Sequence, residues 1–301
     1  MKDKKIEVIE FTDPACTWCW GSEPILRKLE TQYEGNIEVN FIMGGLVKDV
    51  RTFRDDSNDI GGDISNVNKQ VASHWLEASE RHGMPVEANG FSLFSEENTS
   101  TYPMNIAYKA AQFQSEALAK KFLRRMREAA ATEAIKVNQT EVLIELAGEC
   151  GLDVAKFIKS FSDGTAEKAF QEDLKVTRSY RVHGFPSFLV KSSNGKEIML
   201  SGYQPFDTFK AVIDQISNGE LAQKNIEKTE ENIMNFIKKY QHVATFEIAT
   251  VFDLSKTELD EIVQSLEKQK IINIIQAGNG YFITPISDPL SCDPVTGMCN
   301  I

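Results

Sequence analysis

The spacing of hydrophobic positions changes several times along the chain, and each change predicts an element. Ile6 to Phe11 is short, β-branched and apolar-rich and stops at Thr12-Asp13-Pro14, which predicts a strand and a turn. After Cys16 the period becomes helical, with Ile25, Leu26, Leu29 and Tyr33 recurring every three or four residues until Gly35-Asn36. Ile37 to Met43 then alternates like a strand and ends at Gly44-Gly45. This is a β–α–β unit, and such crossovers are right-handed between parallel strands. From about Ile64 to Tyr180 helical spacing prevails, and four helices stand out. They carry Trp75, Leu76 and Ser79; Ile106, Ala110 and Phe113 after Tyr102-Pro103; Phe122, Leu123 and Met126; and Val142 to Ala147 before Cys150-Gly151. Strand signals return at Ser187–Val190 and Glu197–Leu200 around Asn194-Gly195, a strong hairpin signal, followed by a helix with Phe206, Phe209, Val212, Ile213 and Ile216.

The polar stretch Glu220 to Lys228 reads as a linker. Beyond it come a helix with Ile233, Phe236, Ile237 and Tyr240, a short one over Phe246 to Val251, and a third capped by Ser255 with Glu258 in the capping-box position. Ile271–Ile275 and Tyr281–Thr284 form a hairpin through Gly278-Asn279-Gly280, so the set resembles a winged helix. The expected fold is α/β. A thioredoxin-like sheet domain spans 1–219 with a helical insert at about 60–180, a winged-helix-like module spans 228–286, and a cysteine-containing tail spans 287–301.

Composition narrows the function. The 301 residues are 42% hydrophobic and 26% charged, ordinary for a globular chain, with a net charge of −11. That charge argues against nucleic acid and anionic membrane surfaces as partners. The helix from Ser255 to Gln269, which would read DNA in a winged helix, carries Lys256 and Lys268 against Glu258, Asp260, Glu261 and Glu267. It suits a protein contact, and a homodimer through this module is the expected assembly. No apolar run approaches the ~20 residues that span a bilayer. Glu7 and Glu10 interrupt the first apolar stretch where a secretory signal needs continuity, so the expected location is the cytoplasm.

The five cysteines form two close pairs and a singleton, Cys150, which reads as an inert buried thiol at a helix end. Cys16 and Cys19 follow a strand and a Pro-containing turn, where the next helix begins. Unpaired N–H groups and the dipole at a helix N-terminus favour a thiolate, so Cys16 is the expected nucleophile. Cys19, about a turn later, is placed to resolve a mixed disulfide. A zinc site would need two more ligands. Cys292 and Cys299 are spaced loosely for that role and no His accompanies either pair, so no metal or other cofactor is expected.

Phe11-Thr12-Asp13-Pro14-Ala15-Cys16-Thr17-Trp18-Cys19-Trp20 resembles the active-site segment of DsbA-like proteins, particularly the cytoplasmic FrnE-like branch. Val182-His183-Gly184-Phe185-Pro186-Ser187-Phe188 resembles that superfamily's second signature, and Ile42-Met43-Gly44-Gly45-Leu46 its second strand and exit. The likeness covers roughly Lys5 to Ser217. It implies a thiol–disulfide oxidoreductase with a cis Pro186 facing the thiols, and with Thr17, Trp18 and Phe185 as substrate contacts. Thr17-Trp18 stands where strongly oxidising members have Pro-His, which implies a less oxidising couple. Additional C-terminal cysteines are also found in FrnE-like proteins, and Cys292–Cys299 is correspondingly an auxiliary redox pair in this reading. Glu23 reads as a solvated first-turn carboxylate.

The leading expectation is therefore a dithiol–disulfide oxidoreductase or isomerase whose partners are protein or small-molecule disulfides and thiols. The alternative is a DsbA-like adaptor or scaffold for proteolysis or stress response. A third class, kappa-type glutathione transferases, resembles the architecture but carries Ser at the nucleophile position, and Cys16 speaks against it.

Overall fold

A computed structural model describes residues 6–286. Its sheet has the strand order β2-β1-β3-β4. Strand β1 (Ile6–Thr12) lies in the middle, and β2 (Ile37–Met43) runs parallel to it, Ile6 opposite Ile37 and Thr12 opposite Met43. On its other side β3 (Ser187–Ser192) is antiparallel, with Val8 opposite Val190, and β4 (Glu197–Ser201) returns from the Asn194-Gly195 turn. Helix α1 (Thr17–Gln32) crosses from β1 to β2, and α8 (Phe206–Ser217) follows β4. Val8, Leu26, Leu29, Val190, Phe209 and Ile213 fuse these elements into one apolar core, with Phe188 and Phe209 edge to face at 4.9 Å.

The insert between β2 and β3 has six helices among the described residues: α2 (Ile64–His82), α3 (Tyr102–Gln112), α4 (Glu116–Thr132), α5 (Thr140–Glu149), α6 (Val154–Ser162) and α7 (Thr165–Ser179). The last two extend the four that periodicity names. They are amphipathic and separated by only Asp163-Gly164, with Asp153 capping α6 at Lys156 N.

A C-terminal module follows: α9 (Glu230–Tyr240), β5 (Val243–Ala244), α10 (Thr245–Val251), α11 (Lys256–Lys268), β6 (Ile272–Ala277) and β7 (Gly280–Pro285). The expected Ser255–Glu258 capping box is present. The hairpin acquires a third strand, giving the order β5-β7-β6, because Val243 and Ala244 pair with Ile283 and Phe282. The segment read as a linker is tied down. Lys224 N–H donates to Gln32 O at 2.8 Å, Gln223 Nε2 to Gln32 Oε1 at 2.7 Å, and Leu221 is buried.

The hairpin tip also docks on the insert. Asn279 N–H donates to Val86 O at 3.1 Å while its Oδ1 accepts Val86 N–H at 2.8 Å. Gly278 makes this approach possible: it has φ +52°, and a Cβ would stand 2.1 Å from Val86 O. No described helix is long and apolar enough to cross a membrane.

Candidate functional site

The turn after β1 is locked by one carboxylate. Buried Asp13 accepts Ala15 N–H (2.9 Å) and Leu46 N–H (2.7 Å), the Thr101 hydroxyl (2.8 Å) and Asn105 Nδ2 (2.7 Å). These bonds tie the turn to the β2 exit and to α3. Burial raises the Asp13 carboxyl above its ordinary range despite four donors. Cys16 then sits as the N-cap of α1, and its Sγ accepts Cys19 N–H at 3.2 Å. The sulfur thus replaces one missing partner at the positive end of the helix. Both cysteines are free. Cys19 is completely buried, and burial first, then Cys16 and Glu10, push its thiol well above the ordinary range. Cys16 is the sulfur that lines a cavity.

That cavity, about 840 Å³, is bounded by Cys16, Trp18, Leu46, Trp75, Phe94 and Phe185. Asp55 and Asp56 stand at its wall, as do Arg178 and His183. The Phe185–Pro186 bond is cis, and the Phe185 ring lies over Gly44, where a Cβ would be 2.0 Å away. Pro186 O accepts Gly202 N–H at 2.9 Å. Trp18 lies among His74, His82 and Tyr203, with ring centroids at 6.3, 5.8 and 5.7 Å. Thr17 is only 3% exposed, with its hydroxyl 3.4 Å from His82 Nε2. His82 Nδ1 accepts Met84 N–H at 3.1 Å, so Nε2 carries the proton that faces Thr17. Burial lowers His82 to about 4, and the ring is neutral near pH 7.

Beneath Cys19 lies a layer of buried charge. Arg127, wholly buried, donates through Nη1 to Glu23 and through Nη2 to Glu10 (3.0 Å) and Thr12. Burial pushes Glu10 up to about 7 against the pull of Arg127. Glu23 is not the solvated carboxylate expected from its place in the first turn. Burial opposes its charge, yet Arg127, Arg124 and Arg27 outweigh that and hold it below its ordinary range.

Sequence reasoning brought Cys16, Cys19, Trp18 and Phe185 to this end of the sheet but missed Asp13, His82, Glu10 and Arg127. The available signals were an acid directly before Pro14 and, for Glu10, a carboxylate set among Val8, Ile9 and Phe11 of the first strand. Cys150 is buried and its thiol is pushed up to about 12 by burial, as an inert thiol should be. Cys292 and Cys299 lie outside the described residues. Among the described residues no cluster of three His, Cys, Asp or Glu is arranged to hold a metal.

A thioredoxin family model matches residues 10–211. The chain is 30% identical over 269 residues to the ClpXP adapter protein SpxH of Halalkalibacterium halodurans, covering 89% of this chain and 83% of that protein. It is 25% identical over 291 residues to the ClpXP adapter protein SpxH of Bacillus subtilis, covering 94% and 90%. Among solved structures it resembles the cytosolic disulfide reductase DsbM of Pseudomonas aeruginosa, with TM-score 0.53, 21% identity, and coverage of 69% of this chain and 97% of that one. These relatives correct the expected partners. Proteins that align over nine-tenths of the chain are named as adapters to ClpXP, so their partners are specific proteins and not just generic disulfides and thiols.

Proposed function

The chain belongs to the thioredoxin family, and from that premise we propose that it is an adaptor that presents client proteins to a ClpXP-type protease. The observation that carries this reading is the extent of the likeness. The alignments to SpxH adapters run over 89% and 94% of the chain, whereas the likeness to the DsbM reductase stops at 69%. An adaptor needs a fixed surface for one protein and a second for another. The cavity beside Trp18 and Phe185 has the size, and a lining of aromatic and charged side chains, to hold a protein segment. The test is degradation by purified ClpX and ClpP of a client captured by this chain. Adding the chain should speed client loss by about tenfold or more through tethering, and Cys16→Ser with Cys19→Ser should keep that effect. No acceleration for any captured client would overturn the reading.

A second reading rests on the thiols themselves. Cys16 caps α1 beside the cavity and Cys19 lies within one turn. Attack by the Cys16 thiolate on a disulfide, resolved by Cys19, would make the site a dithiol–disulfide exchanger. Insulin reduction that vanishes in Cys16→Ser, together with no effect on client degradation, would favour it.

A further inference from the structure

The charge beneath Cys19 does not end in the thioredoxin unit. Glu23 also meets Arg124 at 3.4 Å, and Arg124 donates through Nη1 and Nη2 to both oxygens of Glu247 at 2.8 and 3.0 Å. Glu247 belongs to α10 of the C-terminal module and is fully buried. It also accepts Ala244 N–H at 2.7 Å and meets Arg27 Nη1 at 2.8 Å. Arg124 Nε holds Glu128 at 2.6 Å, and His242 Nδ1 of the same module stands 3.1 Å from Glu128. A file of alternating charges thus leads from Cys19 through Glu10, Arg127, Glu23 and Arg124 to Glu247.

We propose that the C-terminal module is a working part of the thiol site: Glu247 is a positioning residue that acts through Arg124, Glu23 and Arg127 to govern the charge on Glu10 beneath Cys19. Three guanidiniums, on Arg27, Arg124 and Arg127, face four carboxylates, on Glu10, Glu23, Glu128 and Glu247, and the partly exposed His242 imidazole stands at the edge of the cluster beside Glu128. In a buried cluster the surplus negative charge is removed by protonating the carboxylate with the fewest partners. Glu23, Glu128 and Glu247 each have two cationic or imidazole neighbours. Glu10 has Arg127 alone, and its Oε1 has no hydrogen-bond partner. Glu10 is also the carboxyl pushed up to about 7. Neutralising Glu247 would leave guanidiniums and carboxylates equal in number, so Glu10 would ionise more readily. The thioredoxin unit by itself would therefore carry a different charge under its inner sulfur. This inference stands apart from the adaptor reading, because its readout is an ionisation and not a client's loss.

The test is a pH titration of the Glu10 carboxyl carbon by NMR on the full chain, assigned by comparison with Glu10→Gln. Glu247→Gln is expected to lower the midpoint by about one pH unit. The pH dependence of thiol alkylation should show its inflection moving the same way. Glu247→Asp, which keeps the charge, restores the original midpoint. Asp253→Asn, which cuts the separate Lys28–Asp253 tether to the same module, leaves it in place. An unmoved midpoint in Glu247→Gln, or an equal shift in Asp253→Asn, overturns the proposal. Should Glu247→Gln fail to fold, Arg27→Gln is read instead. It removes the second cation paired with Glu247 from the same cluster, so it must raise the midpoint, and no rise refutes the idea.

Discussion

Helix α1 is buried on two sides by opposite means. Ile25, Leu26, Leu29 and Tyr33 pack on the sheet and on α8 with no charge involved. On the other side Glu23, Arg27 and Lys28, also buried, meet α4 and the C-terminal module through ion pairs. Apolar packing is nondirectional and indifferent to pH. A charged seam fixes geometry instead, because a buried ion must meet its partner at one place, and it responds to protons. The thioredoxin core is thus built for stability, and the seam for registering the module against the thiols.

The largest effects should come from breaking each side in turn. Phe209→Ala, which empties part of the apolar core, and Arg127→Met, which strands Glu10 and Glu23, are each expected to cost about 3–5 kcal/mol in urea denaturation at neutral pH. Repeated at lower pH, the Phe209→Ala deficit should hold, whereas the Arg127→Met deficit should shrink as the stranded carboxylates take up protons. Deficits equally blind to pH would erase the distinction between the two sides.

Next in size is a contrast inside the seam. Burial would raise Glu128, but Arg124 and His242 bring it from 4.5 down to about 2. Its pairs therefore add stability above the unfolded value of 4.5, and this is lost as pH falls toward about 2. Glu10 runs the other way: its folded value of about 7 means that stability is lost as pH rises from 4.5 through 7. Each window is worth about 3 kcal/mol. Glu128→Gln should flatten the acid limb of a stability–pH curve and Glu10→Gln the neutral limb. A curve with both limbs intact in either variant would mean that other groups set them.

The smallest effect marks the baseline away from both sides. Ser255→Ala removes the cap of α11 and should cost about 1 kcal/mol near neutral pH.

Much of this was legible in the chain because its signals are local. The alternation over Ile37–Met43, the Asn194-Gly195 turn and the Ser255–Glu258 box each lie within a few residues, and each element formed where the pattern put it. The Cys16–Cys19 end of the site was legible for the same reason. The seam was not. Arg124 and Glu247 are 123 positions apart, and on α1 the run Glu23, Arg27, Lys28 has the spacing of an ordinary solvated face. Nothing within one helix distinguishes a charge that faces water from one that faces a partner far along the chain. Strand β5 escaped notice because two residues are too few to show a period.

Trp20 sits where these parts meet. Its indole N–H donates to Pro85 O at 2.9 Å, the Arg124 guanidinium lies 4.4 Å from the ring, and Phe282 of β7 packs at 6.3 Å. Trp18, two residues earlier, faces the cavity instead. Of the chain's three tryptophans, Trp18 and Trp75 therefore report on whatever enters the cavity, and Trp20 reports on departure of the hairpin. In a Trp75→Phe background, emission from Trp18→Phe and Trp20→Phe variants separates entry of a ligand into the cavity from opening of the module, with no external dye.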